Sequence, residues 1–306
     1  MVDQQKSLTL AIVGLPNAGK STLLNALVGE KLAAVSQTPQ TTRGRILGVV
    51  NRGETQLVFL DTPGIHEPKH ALNYRMMAQV DGALQEAELL LWVVDADGFF
   101  GDGEKALVKR LKALERPERP VYLLLNKIDL LSKGRLLATV AQYKDLMDFQ
   151  EIVPLSAKFG KNLDPLWALL ERDAKAGEWA YDADTFTDQN ERSMAAEFIR
   201  EKVLRKTKEE VPHVAAVEIE RWIEEGEGYP EDMVPGGVFI AALILVEKAN
   251  HRKILLGSQG EKIKDIRQSA QRELKKLLQR PVRLELFIKV EEGWRDRAEQ
   301  LDRLRL

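Results

Sequence analysis

Four short motifs, each standing directly after an apolar run, constrain this 306-residue chain more tightly than any other feature. Leu8 to Val13 leads into Gly14-Leu15-Pro16-Asn17-Ala18-Gly19-Lys20-Ser21, and a helical spacing of Leu23, Leu24 and Leu27 follows. Gln56 to Leu60 leads into Asp61-Thr62-Pro63-Gly64, Val121 to Leu125 into Asn126-Lys127-Ile128-Asp129, and Ile152 to Leu155 into Ser156-Ala157-Lys158. Runs of this kind, without alternation, suit strands buried on both faces of a sheet. Leu89 to Val94 adds another, and Arg45 to Val50 pairs with Gln56 to Leu60 through the turn sequence Asn51-Arg52-Gly53-Glu54. Helical segments alternate with the strands. The expected fold over residues 6–175 is therefore α/β, a doubly wound and mostly parallel sheet with its ligand at the carboxyl ends of the strands.

The motifs carry a specific chemistry. In Gly14-x4-Gly19-Lys20-Ser21 the glycines let backbone N–H groups converge on phosphate oxygens at the positive end of a helix. Lys20 supplies charge between the β- and γ-phosphates, and Ser21, with Thr22 behind it, is placed to ligate Mg²⁺. Asp61 can hold a water on the same ion. Gly64 has no Cβ, so its N–H can approach a γ-phosphate and register its loss. Either Thr41 or Thr42, with Thr42 preferred, completes the metal shell in the GTP state. The expected metal set is Ser21, Thr42 and Asp61. Asp129 can accept from guanine N1–H and N2–H₂, which adenine does not offer, so an unpaired carboxylate would reject adenine. Asn126 braces the base-binding loops, the Lys127 stem lies along the purine, and the Ala157 N–H donates to guanine O6 between Ser156 and Lys158. The nucleotide set is thus Gly14 to Thr22, Asp61 to Ile65, Asn126, Lys127, Asp129 and Ser156 to Lys158. Lys20, Thr42, Gly64 and Asn17 are the candidates for hydrolysis. Ile65 stands where familiar small GTPases place a water-orienting Gln and cannot do that job. The water is then oriented by backbone, by another residue or by an ion, and an Asn17 side-chain oxygen can help to hold K⁺ there.

A polar stretch, 176–190, separates this half from a second grammar, although Trp179, Tyr181 and Phe186 suggest that the stretch packs on something. Helix Glu191 to Lys208, broken by Pro212, precedes strand Val214 to Glu224, with Ala215, Val217, Ile219, Arg221 and Ile223 on one face. A buried strand, Val238 to Glu247, two helices split at Gly257-Ser258-Gln259-Gly260, and strand Val282 to Val290 complete an α-β-β-α-α-β order over 191–290. A charged, helical tail, 291–306, follows. Gly-x-x-Gly alone is weak: Gly98-Phe99-Phe100-Gly101 matches it and reads as a loop. Around Gly257 the context differs. Lys253, Lys262, Lys264 and Arg267 surround the loop, and Ile254, Ile263, Ile266 and the strand Val238 to Leu243 are the candidate groove walls. This is the arrangement of a type II KH domain, whose loop clamps a single-stranded RNA backbone.

Charge supports that reading. The net charge is −2, yet His251 to Lys289 holds 11 Lys/Arg and 4 Asp/Glu, a local +7 that leaves −9 elsewhere. With no cysteine, disulfides and thiol chemistry are excluded. No apolar run approaches the roughly 18 residues of a membrane span. The polar start, Met1 to Lys6, does not read as a secretion signal, so a cytoplasmic protein is expected. His66-Glu67-Pro68-Lys69-His70 matches a zinc-protease string, but Pro68 opposes the continuous helix which that chemistry needs.

Together with Gln40-Thr41-Thr42-Arg43, these motifs and the C-terminal KH pattern closely resemble the bacterial Era family over nearly the whole chain. The resemblance implies a slow GTPase using GTP/GDP and Mg²⁺. It implies an RNA-binding switch on the 3′ end of 16S ribosomal RNA that assists maturation of the 30S ribosomal subunit, with peripheral contact at the inner membrane face and no DNA partner. It also removes the surprise of Ile65, since that family lacks the Gln. On it rest the RNA-contact set Lys253, Ile254, Gly257 to Gly260, Lys262, Ile263, Lys264 and Arg267. Nucleotide-dependent exposure of the RNA groove is expected. Two rivals remain open at this point: a second domain that docks protein or membrane, and an inert GTP-stabilised scaffold.

Overall fold

The computed structural model describes residues 5–65, 67–113 and 118–306. His66, the first residue of the zinc-protease string, lies outside the described residues, as do Met1 to Gln4, and the rest of the string, 67–70, is not helical. The chain divides into two compact units: residues 1–33, 42–68 and 75–188 form the first, and 34–41, 69–74 and 189–306 the second.

In the first unit the apolar runs become strands because each buries side chains on both faces. Strands β1 (Lys6–Val13), β2 (Ile46–Arg52), β3 (Thr55–Asp61), β4 (Leu89–Asp95), β5 (Val121–Asn126) and β6 (Glu151–Pro154) stand in the order β2-β3-β1-β4-β5-β6. The pairs β3-β1, β1-β4, β4-β5 and β5-β6 are parallel, and β2 alone on this path runs antiparallel, against β3. Helices α1 (Lys20–Val28), α2 (Ala71–Glu86), α3 (Asp102–Lys112), α4 (Lys133–Tyr143) and α5 (Leu163–Asp173) connect them. A two-residue strand, β7 (Lys175–Ala176), closes on the start of β1. Helix α1 buries Leu23, Leu24 and Leu27 at helical spacing. The turn expected at 51–54 tightens to Gly53-Glu54, since Asn51 and Arg52 stay paired in β2.

The polar stretch after α5 is tied to this unit by hydrogen bonds more than by its rings. The buried Gln56 side chain donates to Tyr181 O at 2.8 Å and accepts from Tyr181 N at 3.0 Å. Trp179 Nε1 donates to Glu54 O at 3.1 Å. The Phe186 ring stays half exposed, although its carbonyl accepts from Val49 N at 3.0 Å.

The second unit contains α6 (Glu191–Lys206), a single turn α7 (Val211–Val214), β8 (Ala216–Ile223), β9 (Val238–Val246), α8 (Ala249–Leu256), α9 (Glu261–Leu278), β10 (Val282–Val290) and α10 (Ala298–Arg303). The strand order is β10-β9-β8, with β9 buried along its whole length, parallel to β10 and antiparallel to β8. Two expectations need correction. Helix α6 ends at Lys206, where Thr207 turns extended and its hydroxyl bonds Val203 O at 2.7 Å, so Pro212 starts a new turn and does not break α6. Strand β8 does not alternate throughout: the register shifts between Ile219 and Arg221, and Arg221 faces outward.

The charged segment after β10 is helical only in part, over a 3₁₀ turn at Trp294–Asp296 and over α10, and it is integral to this unit. Trp294 is fully buried and its indole donates to Val214 O at 3.0 Å, Leu301 is fully buried, and Arg295 pairs with Glu247 through two bonds of 2.8 Å. Asp296 accepts from the backbone N–H of Ala71, in the segment 69–74 that groups with this same unit, at 2.9 Å, and the bond from that N–H holds its carboxyl below the usual range. Trp294→Ala removes a large buried ring and its indole bond to Val214 O. We expect it to destabilise the second unit by about 3–5 kcal/mol in urea unfolding, whereas an exposed-tail role would leave the midpoint unchanged.

Candidate functional site

The nucleotide motifs converge at the carboxyl ends of β1, β3, β5 and β6. The connection from β1 to α1 is closed by Lys20, which is buried and donates from Nζ to Gly14 O at 3.1 Å and Leu15 O at 3.0 Å. Burial lowers its pKa to about 8, against the opposing pull of Asp61. Asn17, exposed, sits at φ 64° in the left-handed region. Gly64 is packed so closely that a Cβ there would lie 2.8 Å from Pro16 backbone atoms, and Ile65 N–H donates to Gly14 O at 3.2 Å. These contacts join the Asp-Thr-Pro-Gly loop to the phosphate loop directly.

Three oxygen-bearing side chains meet beside Lys20. Ser21 Oγ lies 2.7 Å from Thr42 Oγ1 and donates to Asp61 Oδ2 at 2.7 Å. Asp61 is fully buried and its Oδ1 has no hydrogen-bond partner, an orphaned acceptor in a place where such atoms are costly. Burial raises the Asp61 pKa to about 6, with Lys20, Ser21 and the Thr62 N–H pulling the other way. A hard cation with oxygen ligands fits this set and would satisfy Oδ1. Thr41 is engaged elsewhere: its hydroxyl donates to Thr38 O at 2.7 Å and lies 2.8 Å from Ser36 Oγ. Thr62, counted among the nucleotide ligands, turns its hydroxyl inward to Ile12 O at 2.8 Å, so its side chain serves the sheet.

On the base side one amide braces two loops. Asn126 Nδ2 donates to Ala18 O at 2.8 Å, and its Oδ1 accepts from Ala157 N at 3.0 Å. The Ala157 N–H expected on guanine O6 is therefore already used. Asp129 accepts from the buried Ser156 hydroxyl through Oδ1, and its side chain is half buried at the loop surface. The sequence reading missed Asp95, which ends β4 and holds Lys127 Nζ at 2.6 Å, so positioning that stem across the loop. Its position at a strand's carboxyl end was the available signal.

In the second unit, Gly257 (φ 71°) and Gly260 (φ 79°) bracket a short turn between α8 and α9. A Cβ on Gly257 would lie 2.7 Å from the Lys262 Cβ. Lys253, Ser258, Gln259 and Lys264 are exposed, while Ile254, Lys262, Ile263 and Arg267 are half buried. Ile266 and Val238 to Leu243 are not groove walls: Ile266 is fully buried on the inner stripe of α9, with Ala270, Leu274 and Leu278, and the strand is core. Asp265, the acid inside this basic stretch, is taken by Lys206 Nζ at 2.6 Å, which holds its carboxyl low.

Residues 9–127 match a family described as 50S ribosome-binding GTPase, and residues 210–295 match the KH domain. GTPase Era of Heliobacterium modesticaldum is 41% identical over 300 residues, 98% of this chain and 97% of that protein. The chain belongs to the Era family of GTPases. GTPase Era of Clostridium botulinum (strain Kyoto / Type A2) is 42% identical over 299 residues, again 98% of this chain and 97% of its own. A crystal structure of Era with MgGDPNP and nucleotides 1506–1542 of 16S ribosomal RNA superposes with a TM-score of 0.88 at 38% identity, covering 98% of both chains. A point variant of Aquifex aeolicus Era bound to GDP·AlF4⁻ gives 0.89 at 38% identity, over 98% of this chain and 99% of that one. Both parts of the expected Era architecture, a parallel-sheet GTPase domain and a C-terminal KH domain, are therefore present.

The raised Asp61 pKa gives a pH prediction for this family member. The carboxylate needed by a cation is ionised above about pH 6 and protonated below it. Mg²⁺ affinity of the GDP complex should be flat between pH 7 and 8 and fall by up to about tenfold per unit below 6. Asp61→Asn should bind Mg²⁺ weakly and lose that dependence. Calorimetric titration at pH 5.2 to 8 checks it, and an unchanged slope in the variant would assign the protonation elsewhere.

Proposed function

We propose that this chain is a GTP-hydrolysing switch whose KH domain grips the 3′ end of 16S ribosomal RNA and assists maturation of the 30S subunit. The observation that carries the reading is the full-length likeness to an Era solved with MgGDPNP and that RNA segment. In this chain it is supported by the Gly257-to-Gly260 turn, whose Ser258 and Gln259 are exposed, with exposed Lys253 and Lys264 on either side. We take the domain boundaries as 6–175, 191–290 for the KH core, a connecting stretch at 176–190 and the terminal segment 291–306. Within the first domain we assign Gly14 to Thr22, Asp61 to Ile65, Asn126, Lys127, Asp129 and Ser156 to Lys158 to GTP or GDP. Backbone N–H groups and Lys20 would hold the phosphates, and Asp129 the guanine edge. Ser21, Thr42 and Asp61 would hold Mg²⁺, which supplies neutralisation of phosphate charge when bound. The orphaned Asp61 Oδ1 supports that assignment. We place the protein in the cytoplasm with the pre-ribosome, with peripheral membrane contact; among the described residues no helix is long and apolar enough to cross a membrane.

RNA binding tests the assignment. A 16S 3′-end oligonucleotide should bind more tightly with a non-hydrolysable GTP analogue than with GDP. Lys253→Glu and Lys262→Glu should each weaken it by about tenfold and reduce the salt slope by about one. Full retention of RNA affinity in both variants would instead favour a protein- or membrane-docking surface, and equal affinities in the two nucleotide states would remove the switch.

Hydrolysis has its own test. Ile65 has no polar side-chain atom, and we assign charge neutralisation near the phosphates to Lys20 together with a K⁺ held through Asn17. Single-turnover hydrolysis should rise at least several-fold from Na⁺ to K⁺, and Asn17→Ala should abolish the difference. Identical rates in the two salts would discard the ion and leave backbone groups to orient water.

A further inference from the structure

Thr42 reaches the sheet through a short irregular stretch. Arg43, Gly44 and Arg45 separate it from Ile46, the first residue of β2, and none of the three lies in a helix or strand. The sheet fixes the far end of this stretch, where Ile46 pairs with Asp61, the last residue of β3. At the near end Thr42 is buried, with its hydroxyl 2.7 Å from Ser21 Oγ. Glycine restricts the backbone least of all residues, so the peptide planes beside Gly44 need an outside contact to fix them.

Helix α2 supplies that contact. Gln79 Oε1 accepts from the Arg45 N–H at 2.5 Å, and a Cβ on Gly44 would stand 3.6 Å from the same oxygen. The amide held in this way is the one that joins Gly44 to Arg45, so the bond fixes a peptide plane close behind Thr42. The Arg45 guanidinium reaches along α2 to Glu86 Oε2 at 2.5 Å, but the two side chains are 33% and 47% exposed. Solvent screens such a pair, and it holds little. Gln79 is half buried, and its bond is the one that sets position. Thr42 to Ile46, Gln79 and Glu86 all belong to the first unit. Helix α2 is also the element that follows the loop Asp61 to Gly64. One side-chain oxygen therefore ties the connection carrying Thr42 to the helix that continues from Gly64, through a bond that needs no nucleotide.

We propose that Gln79 is a positioning residue that couples the Thr42 arm to the Gly64 arm, so that the two close on a triphosphate together. The proposal rests on the GTPase reading above. Its effect falls on the state in which both arms engage the ligand, so Gln79 favours the triphosphate and leaves the diphosphate nearly indifferent. Either arm, on withdrawing, strains or breaks a bond that the other also needs.

The test uses the full chain and two variants. Gln79→Met keeps the length of the side chain and removes the acceptor, whereas Gln79→Glu keeps an acceptor oxygen in the same place. With Mg²⁺, Gln79→Met should weaken binding of a non-hydrolysable GTP analogue by about five- to tenfold, the scale of one lost hydrogen bond. It should keep GDP affinity within twofold and slow single-turnover hydrolysis at saturating GTP. Gln79→Glu should recover at least half of the lost analogue affinity. Equal losses for GDP and analogue, no loss in Gln79→Met, or a Gln79→Glu protein as weak as Gln79→Met would overturn the positioning role. Wild-type protein that binds GTP and never cleaves it would instead strike the functional reading.

Discussion

The nucleotide site depends on one amide side chain. Asn126 reaches from the end of β5 to Ala18 O in the phosphate loop and to Ala157 N in the loop after β6. Three segments that never meet in sequence are thus held by a donor and an acceptor on the same planar group. The geometry leaves no slack, since a Cβ on Gly19 would collide with the Asn126 amide. Gly19 therefore has two reasons to be glycine, its φ of 98° and this approach. Because Asn126 is buried, each of its bonds replaces hydration that the folded state has given up, so losing either partner exposes an unpaired polar group in the interior.

Two clusters of buried charge are solved differently. At Lys20 and Asp61 the burial is left incomplete in its pairing: Asp61 keeps one free oxygen, and both groups are pushed toward their neutral forms. Such a site is unsatisfied by itself and gains from a cation and a polyanion. The α6 cluster, Arg200, Glu201 and Lys202, is satisfied within the protein, charge against charge and charge against backbone, apart from one Arg200 nitrogen. The first is poised to bind and the second to hold.

The parts legible in the sequence were those whose chemistry fixes residue type and spacing together. A phosphate loop needs its glycines and lysine at set intervals, and the strands before each motif announced themselves by unbroken apolar runs. The α-β-β-α-α-β order was equally readable from turn residues and periodicity. What escaped was pairing at long range. Lys127 can be read as a base-stacking stem, but nothing adjacent says that Asp95 holds it. Arg200-Glu201-Lys202 has the composition of a solvated face, and only the loop lying on it makes it interior. Trp294 sits in a stretch so charged that its average composition hides a core residue. Ile266 matched a groove by spacing, yet the same helical period also places it on the buried stripe of α9.

Ile65 sharpens the meaning of these anchors. It is 8% exposed, carries no polar atom, and its backbone N–H is spent on Gly14 O at 3.2 Å. Neither its side chain nor its amide is therefore free to direct a water. Phosphoryl transfer asks a protein mainly for position and charge, so an enzyme lacking a dedicated orienting side chain relies more heavily on how firmly its other groups are placed. Lys20 and Asp61 are fixed by burial, and Gly64 by close packing against Pro16. Thr42 comes from a long connection between α1 and β2 that has no regular structure of its own. Of the groups around the phosphate site it is the one whose placement the sheet cannot guarantee.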